Sequence, residues 1–316
     1  MINIKLYLNQ IYFTHMRRRE FLAAVGGVAG TTAPGCLGGS EHVGVLSAGS
    51  LAVVLDDGLG PSFERDTGTA YSGEYHGSNV VMRMIEEGQK NPDVVVSADA
   101  RLLRRRLYEE HADWDAVFAS NSVGIAYNAE TEVGERLDAG NTWYEVLRDA
   151  EEGEVAISDP DLDPLGYRAV QMFELAEEKY GIDGFKDEMV SKVYEEPQEP
   201  QLLTGVRTGS RSAAVSYKNM AVDHSLPFHE LPVDINFSDP EYAEEYAKAT
   251  YTTEDGTTFE GTPVLYNLTV LNNAESKDAG YEFVNYLLEN RELLAEGGLS
   301  LPEVKYHGDK PAEVTV

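Results

Sequence analysis

Between Val43 and Ser97 three strands alternate with two helices, and this constrains the fold more than any other feature. Val43-Gly44-Val45-Leu46 reads as a buried strand and Ser47-Ala48-Gly49-Ser50 as a turn. Leu51 to Glu64 reads as a helix, with Leu51, Leu55, Leu59 and Phe63 four apart on one face. Thr69 to Tyr75 alternates as a second strand. Gly77-Ser78-Asn79 then opens a helix from Val80 to Glu87, which Gly88 stops. Asp93-Val94-Val95-Val96-Ser97 is an unbroken apolar run, as expected of a parallel strand covered on both faces. Strands that alternate with helices predict an α/β sheet.

The pattern then restarts. Ser122 to Tyr127 and Glu154 to Ser158 read as strands, with helices at Trp143 to Ala150 and Tyr167 to Lys179. Ala213 to Tyr217 and Phe228 to Leu231 are later short strands. Leu265 to Leu271 is a strand late in the chain, followed by a helix from Lys277 to Leu288. The expectation is two α/β lobes, with residues 43–120 and 233–316 in the first and 121–232 in the second. A ligand would sit in the crevice between them, since such sites favour the carboxyl ends of strands and the interfaces between domains.

The N-terminus carries a different signal. Arg17-Arg18-Arg19 precedes Glu20-Phe21-Leu22 and a short apolar run rich in Gly and Ala. A basic stretch followed by a run too short to span a bilayer is a secretory signal. Arg18 to Leu22 resembles a twin-arginine signal, and Ala33-Pro34-Gly35-Cys36 resembles a lipobox. Residues 1–35 are therefore expected to be an export signal, with Met16 as the true start. Cys36, the single cysteine, is expected to take a lipid that tethers the protein to the outer face of the membrane, with 36–42 as anchor and spacer. No disulfide is then possible within the chain.

Net charge is −30, from 25 basic and 55 acidic residues. Such a surface argues against nucleic acid, whose binding rests on Lys and Arg contacts to phosphate. The acids lie among ordinary apolar periodicity, so they do not form a disordered tail. Lys is scarcer than Arg, and the composition is that of a chain adapted to strong salt, as haloarchaeal proteins are. In about 1 M salt the Debye length is only about 3 Å, so this much like charge is tolerable.

The strand-to-helix corners carry the candidate chemistry. Ser47-Ala48-Gly49-Ser50, Gly77-Ser78-Asn79 and Asp163-Pro164-Leu165-Gly166 each stand where a helix begins. Helix N-termini carry partial positive charge and free N–H groups, so they suit anions. An ordinary N-cap explains any one Ser or Asp there equally well. Three such corners, with Tyr217 after a strand, point to a shared anion site. Catalytic patterns are missing: no Gly-x-Ser-x-Gly elbow and no phosphate-loop glycine-lysine motif occurs. The seven His are dispersed and without cysteine partners, so neither a zinc site nor any other resident metal or cofactor is expected. Asp93 and Asp99 flank a strand and read as structural, and Trp114 and Trp143 read as core.

Several stretches together resemble the archaeal tungstate/molybdate-binding proteins of ABC importers. They are Ala48 to Leu51, Gly77-Ser78, Asp93 to Asp99, Ile157 to Arg168 (ISDPDLDPLGYR), Tyr217 to Ala221 and Leu231 to Phe237. The likeness runs in order from Val43 to Leu288, and the ISDPDLDPLGYR string is its most distinctive part. It implies a two-lobed type II periplasmic-binding-protein fold with a two-crossover hinge, and a monomeric, non-enzymatic protein that hands molybdate or tungstate to a permease. It also implies that Ser50 and Ser78 donate from the first lobe, while Asp163, nearby amides and Tyr217 contact the ligand from the second. In this family an Asp and a Glu can bind the metal of the oxyanion directly, expanding its shell towards octahedral, and Asp163 matches that Asp. The family's Glu precedes the Tyr of the Tyr-Lys pair, and here Ser216 stands in its place. A hydroxyl cannot replace a carboxylate as a hard anionic ligand, so Ser216 is expected to donate to a tetrahedral oxyanion. Asp163 then either ligates the metal, pairs with Arg168 or accepts from an N–H. Two other readings follow: a binder of sulfate or phosphate, made more plausible by Ser216, and an extracytoplasmic sensor that reuses the fold.

Overall fold

The computed structural model describes residues 41–316, so the expected export signal, lipobox and Cys36 lie outside the described residues. Two mixed sheets dominate the described part. The larger has six strands, in the order β13 (Lys305–Gly308), β4 (Trp114–Ser120), β12 (Leu265–Val270), β3 (Val94–Ser97), β1 (His42–Ala48) and β2 (Ala70–His76). The smaller has five, in the order β7 (Tyr194–Glu196), β6 (Val155–Ser158), β8 (Ala213–Tyr217), β5 (Val123–Tyr127) and β9 (Phe228–Glu230). A separate hairpin pairs β10 (Thr250–Thr252) with β11 (Thr258–Glu260).

The chain passes from the larger sheet to the smaller between Ser120 and Val123, and returns between Glu230 and Leu265. The two passages are tied together, since Val123 N–H donates to the Asn236 carbonyl at 2.8 Å and Asn121 N–H to the Val264 carbonyl at 3.3 Å. This is the two-sheet arrangement of a type II periplasmic-binding-protein fold.

Local patterning explains most of the elements. The β1 strand runs parallel to β2 and β3, and all four residues of β3 are buried, as the unbroken Val94-Val95-Val96 run requires. The segment expected as one helix from Leu51 to Glu64 is divided. A short 3₁₀ turn spans Gly49–Leu51, a wide π-type stretch spans Val54–Leu59, and a regular helix spans Gly60–Thr67. Pro61 cannot donate back into the preceding turn, and this favours a break there. Leu51, Leu55, Leu59 and Phe63 are nonetheless all fully buried, so the apolar stripe survives the break.

The β4 strand was not among the expected elements. Its sequence WDAVFAS is buried along its whole length, including Asp115. That carboxylate is matched by Arg104, whose Nε and Nη2 donate to it at 2.7 and 2.9 Å. Between β4 and β3 lies β12, antiparallel to both, so a strand from late in the chain completes the first sheet. Asp93 is structural, as expected: it accepts from the backbone N–H groups of Gly44 at 2.9 Å and Ser276 at 2.7 Å. Trp114 and Trp143 are buried in the core.

Candidate functional site

Five strands point their carboxyl ends at one place between the sheets. Ser50 follows β1, Ser78 follows β2, Asp163 follows β6, Glu199 follows β7, and Tyr217 ends β8. This is where open α/β sheets place ligands. The corners approach so closely that two glycines are required. A Cβ on Gly77 would come within 2.4 Å of the Leu162 carbonyl oxygen and 2.9 Å of Asp163 Cβ. One on Gly49 would come within 2.8 Å of both Glu199 Oε2 and Pro200 Cδ.

The hydroxyls are oriented. Ser78 Oγ accepts from the Ala98 N–H at 3.1 Å, and Ser50 Oγ accepts from the Tyr266 hydroxyl at 3.1 Å. Each serine thus has its acceptor side occupied by the protein and its own hydrogen free to donate. Both are buried. Asn121, on the first crossover, donates to Asn219 Oδ1 at 2.7 Å and to the Tyr266 hydroxyl at 3.2 Å, and Asn219 donates to the Ser50 carbonyl at 2.6 Å. The corner after β1 is therefore clamped from the smaller sheet.

Two carboxylates face this cluster. Asp163 and Glu199 are each only 1 % exposed, and none of their four oxygens has a hydrogen-bond partner. Burial pushes the Asp163 carboxyl up to about 7. The Ser158 hydroxyl and the Leu165 N–H lie near enough to hold it down in part, though neither reaches hydrogen-bond geometry. Burial, and then the charge of Asp163, push Glu199 well above the ordinary carboxylate range. The hydroxyl of Ser50 and the amides of Gly49 and Ser50 act in the opposite direction. Asp163 thus adds to the upward shift of Glu199, and burial favours the protonated form of both acids.

Arg168, the obvious counter-charge, is committed elsewhere. It does not hydrogen-bond to Asp163, contrary to one of the roles considered for that residue. Its Nη2 donates to Asp99 Oδ2 at 3.1 Å and its Nη1 to the Tyr217 hydroxyl at 2.8 Å. Tyr217 is fully buried, and its pKa is raised by burial and also by the charges of Asp163 and Glu199, against the effect of Arg168. Ser216, beside it on the strand, is buried with its hydroxyl unpartnered. Successive strand side chains leave by opposite faces.

Ser50, Ser78, Asp163 and Tyr217 are thus brought together from distant parts of the chain. Glu199 was not foreseen. It is one of 55 acidic residues, set in the acidic stretch Glu195 to Glu199, and nothing local distinguishes it.

Comparison with known proteins places the chain in a family. A family model described as bacterial extracellular solute-binding protein matches residues 43–300. A solute-binding protein of Halobacterium salinarum is 45% identical over 287 residues, covering 90% of this chain and 93% of the relative. A putative ABC transporter molybdenum-binding protein of Haloferax volcanii is 40% identical over 258 residues, covering 80% of this chain and 82% of the relative. Among solved structures, the periplasmic molybdate-binding protein of Azotobacter vinelandii superposes with a TM-score of 0.60 at 15% identity, over 83% of this chain and 100% of that one. At that identity the likeness establishes the fold alone.

Proposed function

The chain belongs to the extracellular solute-binding family, whose members bind rather than catalyse, and on that premise we propose that it captures molybdate or tungstate for an ABC importer. The observation that carries this reading is the buried pair Asp163 and Glu199, with all four oxygens unpartnered and the neighbouring Arg168 committed, among the described residues, to Asp99 and Tyr217. For sulfate, two ionised carboxylates are only a repulsion, because its central atom takes no further oxygen ligands. Molybdenum(VI) and tungsten(VI) are hard centres that accept added carboxylate oxygens, and a metal's own charge inverts the local cost of burying an anion. Glu199 then supplies from the turn after β7 the carboxylate that position 216 lacks. Ser50, Ser78 and Tyr217 donate to the oxyanion's oxygens, while Ser216 leaves the strand by the opposite face.

Membership of this family places the folded part outside the cytoplasm. We propose further that Cys36 carries the lipid anchor after twin-arginine export, and that the monomer hands its oxyanion to the permease from the membrane surface. Support comes from the lipobox-like Ala33 to Cys36 and the arginines before it. A Cys36→Ala protein released into the medium would fit the anchor, and one still held on the membrane would remove it.

Calorimetry in strong salt with molybdate, tungstate, sulfate and phosphate tests the ligand. The heavier anions should bind, and Glu199→Gln, which keeps the volume and loses the charge, should weaken them by roughly 100-fold or more, a buried charged contact being worth about 3 kcal/mol. Binding of sulfate or phosphate without the heavier anions would overturn the assignment. Phosphate binding strengthened at a pH where it carries a proton would favour a carboxylate that accepts that proton instead.

A further inference from the structure

Beside the oxyanion site lies a second buried charge cluster, which none of the binding chemistry above uses. Arg168 extends from the helix Pro164–Tyr180, packed on the smaller sheet, and its side chain is fully buried. Asp99 stands at the N-cap of the helix Ala100–Leu107, after β3 of the larger sheet. The two oxygens of Asp99 serve different layers. Oδ1 accepts from the backbone N–H groups of Arg101 and Leu102 at 2.8 and 3.2 Å, capping its own helix. Oδ2 accepts from across the divide, from the Tyr167 hydroxyl at 2.7 Å and Arg168 Nη2 at 3.1 Å. Arg168 Nη1 also donates to the Ala98 carbonyl of the larger sheet at 3.2 Å.

We propose that Arg168 and Asp99 are a closure latch, an ion pair made only when the two sheets have closed on the oxyanion, which holds it by slowing reopening. The inference rests on the reading of the site given above. Three observations carry it. First, the pair joins layers that the chain connects only through its two crossovers, whereas Arg104 and Asp115 pair within one layer. Second, each partner is one hydrogen bond from a group of the oxyanion site. Ala98, next to Asp99, donates to Ser78 Oγ at 3.1 Å, and Arg168 donates to the Tyr217 hydroxyl at 2.8 Å. A ligand that fixes Ser78 and Tyr217 therefore fixes the two halves of the latch against each other.

Third, desolvation makes the pair conditional. In an opened cleft both charges are hydrated and gain little from one another, but once closed each is left without water. Loss of either partner then penalises the closed form and spares the open one. Arg168 Nε has no partner, so the closed form is not fully satisfied, as suits a contact that must be broken for release.

Both residues are positioning residues, and the test separates holding from folding. Asp99→Asn keeps the Oδ1 cap and removes the charge, while Arg168→Lys keeps the charge and loses the fork. Stopped-flow with molybdate and tungstate should show release accelerated by roughly 30-fold in Asp99→Asn, with association changed by less than about threefold, because truncating a buried charge pair acts on dissociation. Arg168→Lys should recover part of the slow release. Small-angle scattering should show a smaller ligand-induced contraction in Asp99→Asn. The melting temperature of the ligand-free variant should match that of the wild type. Wild-type release rates in both variants, or an equal fall in melting temperature with and without ligand, would overturn the latch and leave the ligand assignment standing. Failure of the unaltered protein to bind any of the four oxyanions would remove the site reading and the latch with it.

Discussion

Glu199 stands directly over Gly49, so close that a methyl group on the glycine would lie 2.8 Å from the carboxylate oxygen. The two are 150 positions apart, yet each sets what the other can be. Gly49→Ala forces the Glu199-Pro200 segment to shift, and overpacking of this kind typically costs about 1–3 kcal/mol. If that strain is relieved by moving the carboxylate, oxyanion affinity falls by roughly 10-fold or more. Calorimetry of Gly49→Ala at unchanged affinity would mean that Glu199 is not part of the site.

Ser50 and Ser78 each have their acceptor side engaged, by Tyr266 and by the Ala98 N–H, so their hydrogens are aimed rather than free to rotate. Each bond to a charged ligand is worth about 1.5–3 kcal/mol. The double change Ser50→Ala with Ser78→Ala should therefore weaken molybdate binding by roughly 100-fold or more, and Ser216→Ala by much less. Intact affinity in the double variant would remove the two serines from the site.

Stability should depend on pH through Asp163. Burial pushes its carboxyl up to about 7, from an ordinary value of 3.8. Between these values the folded protein keeps a proton that the unfolded chain has released. The stability contributed by this group is thus fully present below about 3.8 and is lost as pH rises through about 7. Its ceiling is roughly 4 kcal/mol, at about 1.4 kcal/mol per pH unit. That burial belongs to the closed form, so small-angle scattering of the ligand-free wild type should show it opening between about pH 4 and pH 7, with less opening in Asp163→Asn. A difference between the two proteins that stays constant over that range would mean that the carboxyl titrates normally.

A stability prediction far from the site concerns Asp115. It is fully buried in β4 and held by both nitrogens of the Arg104 fork and by the Tyr108 hydroxyl. Asp115→Ala strands the guanidinium and should cost about 3 kcal/mol in denaturant unfolding, without altering oxyanion selectivity. A cost below about 1 kcal/mol would show that the pair is dispensable.

How much of this could be read without the structure depended on the range of the interactions involved. The α/β class and the corners at Ser50, Ser78 and Asp163 were legible because a strand, a turn and a helix start are written in adjacent residues. The corner at Gly77-Ser78-Asn79 could be foreseen from those residues alone, whereas a donor role for Ser78 is what the family resemblance implies. The π-type stretch before Pro61 was not legible, because the same four-residue stripe of Leu51, Leu55, Leu59 and Phe63 fits a regular helix equally well. Nor was β4, whose buried Asp115 looks like a surface residue until Arg104 is brought beside it.

The second carboxylate shows the limit most clearly. By itself the sequence determined that position 216 is a serine and that Asp163 opens a helix, and from these it pointed to hydroxyl donors around a tetrahedral anion. Only the tertiary structure decided that Glu199 returns to the same place, over Gly49 and beside Asp163. It also decided that Arg168, five residues from Asp163, turns away to Asp99. Local patterning specifies which side chains leave a strand end or a helix start. Which distant side chains share a desolvated space, and so which charges must compensate each other, is settled only when the two sheets are packed.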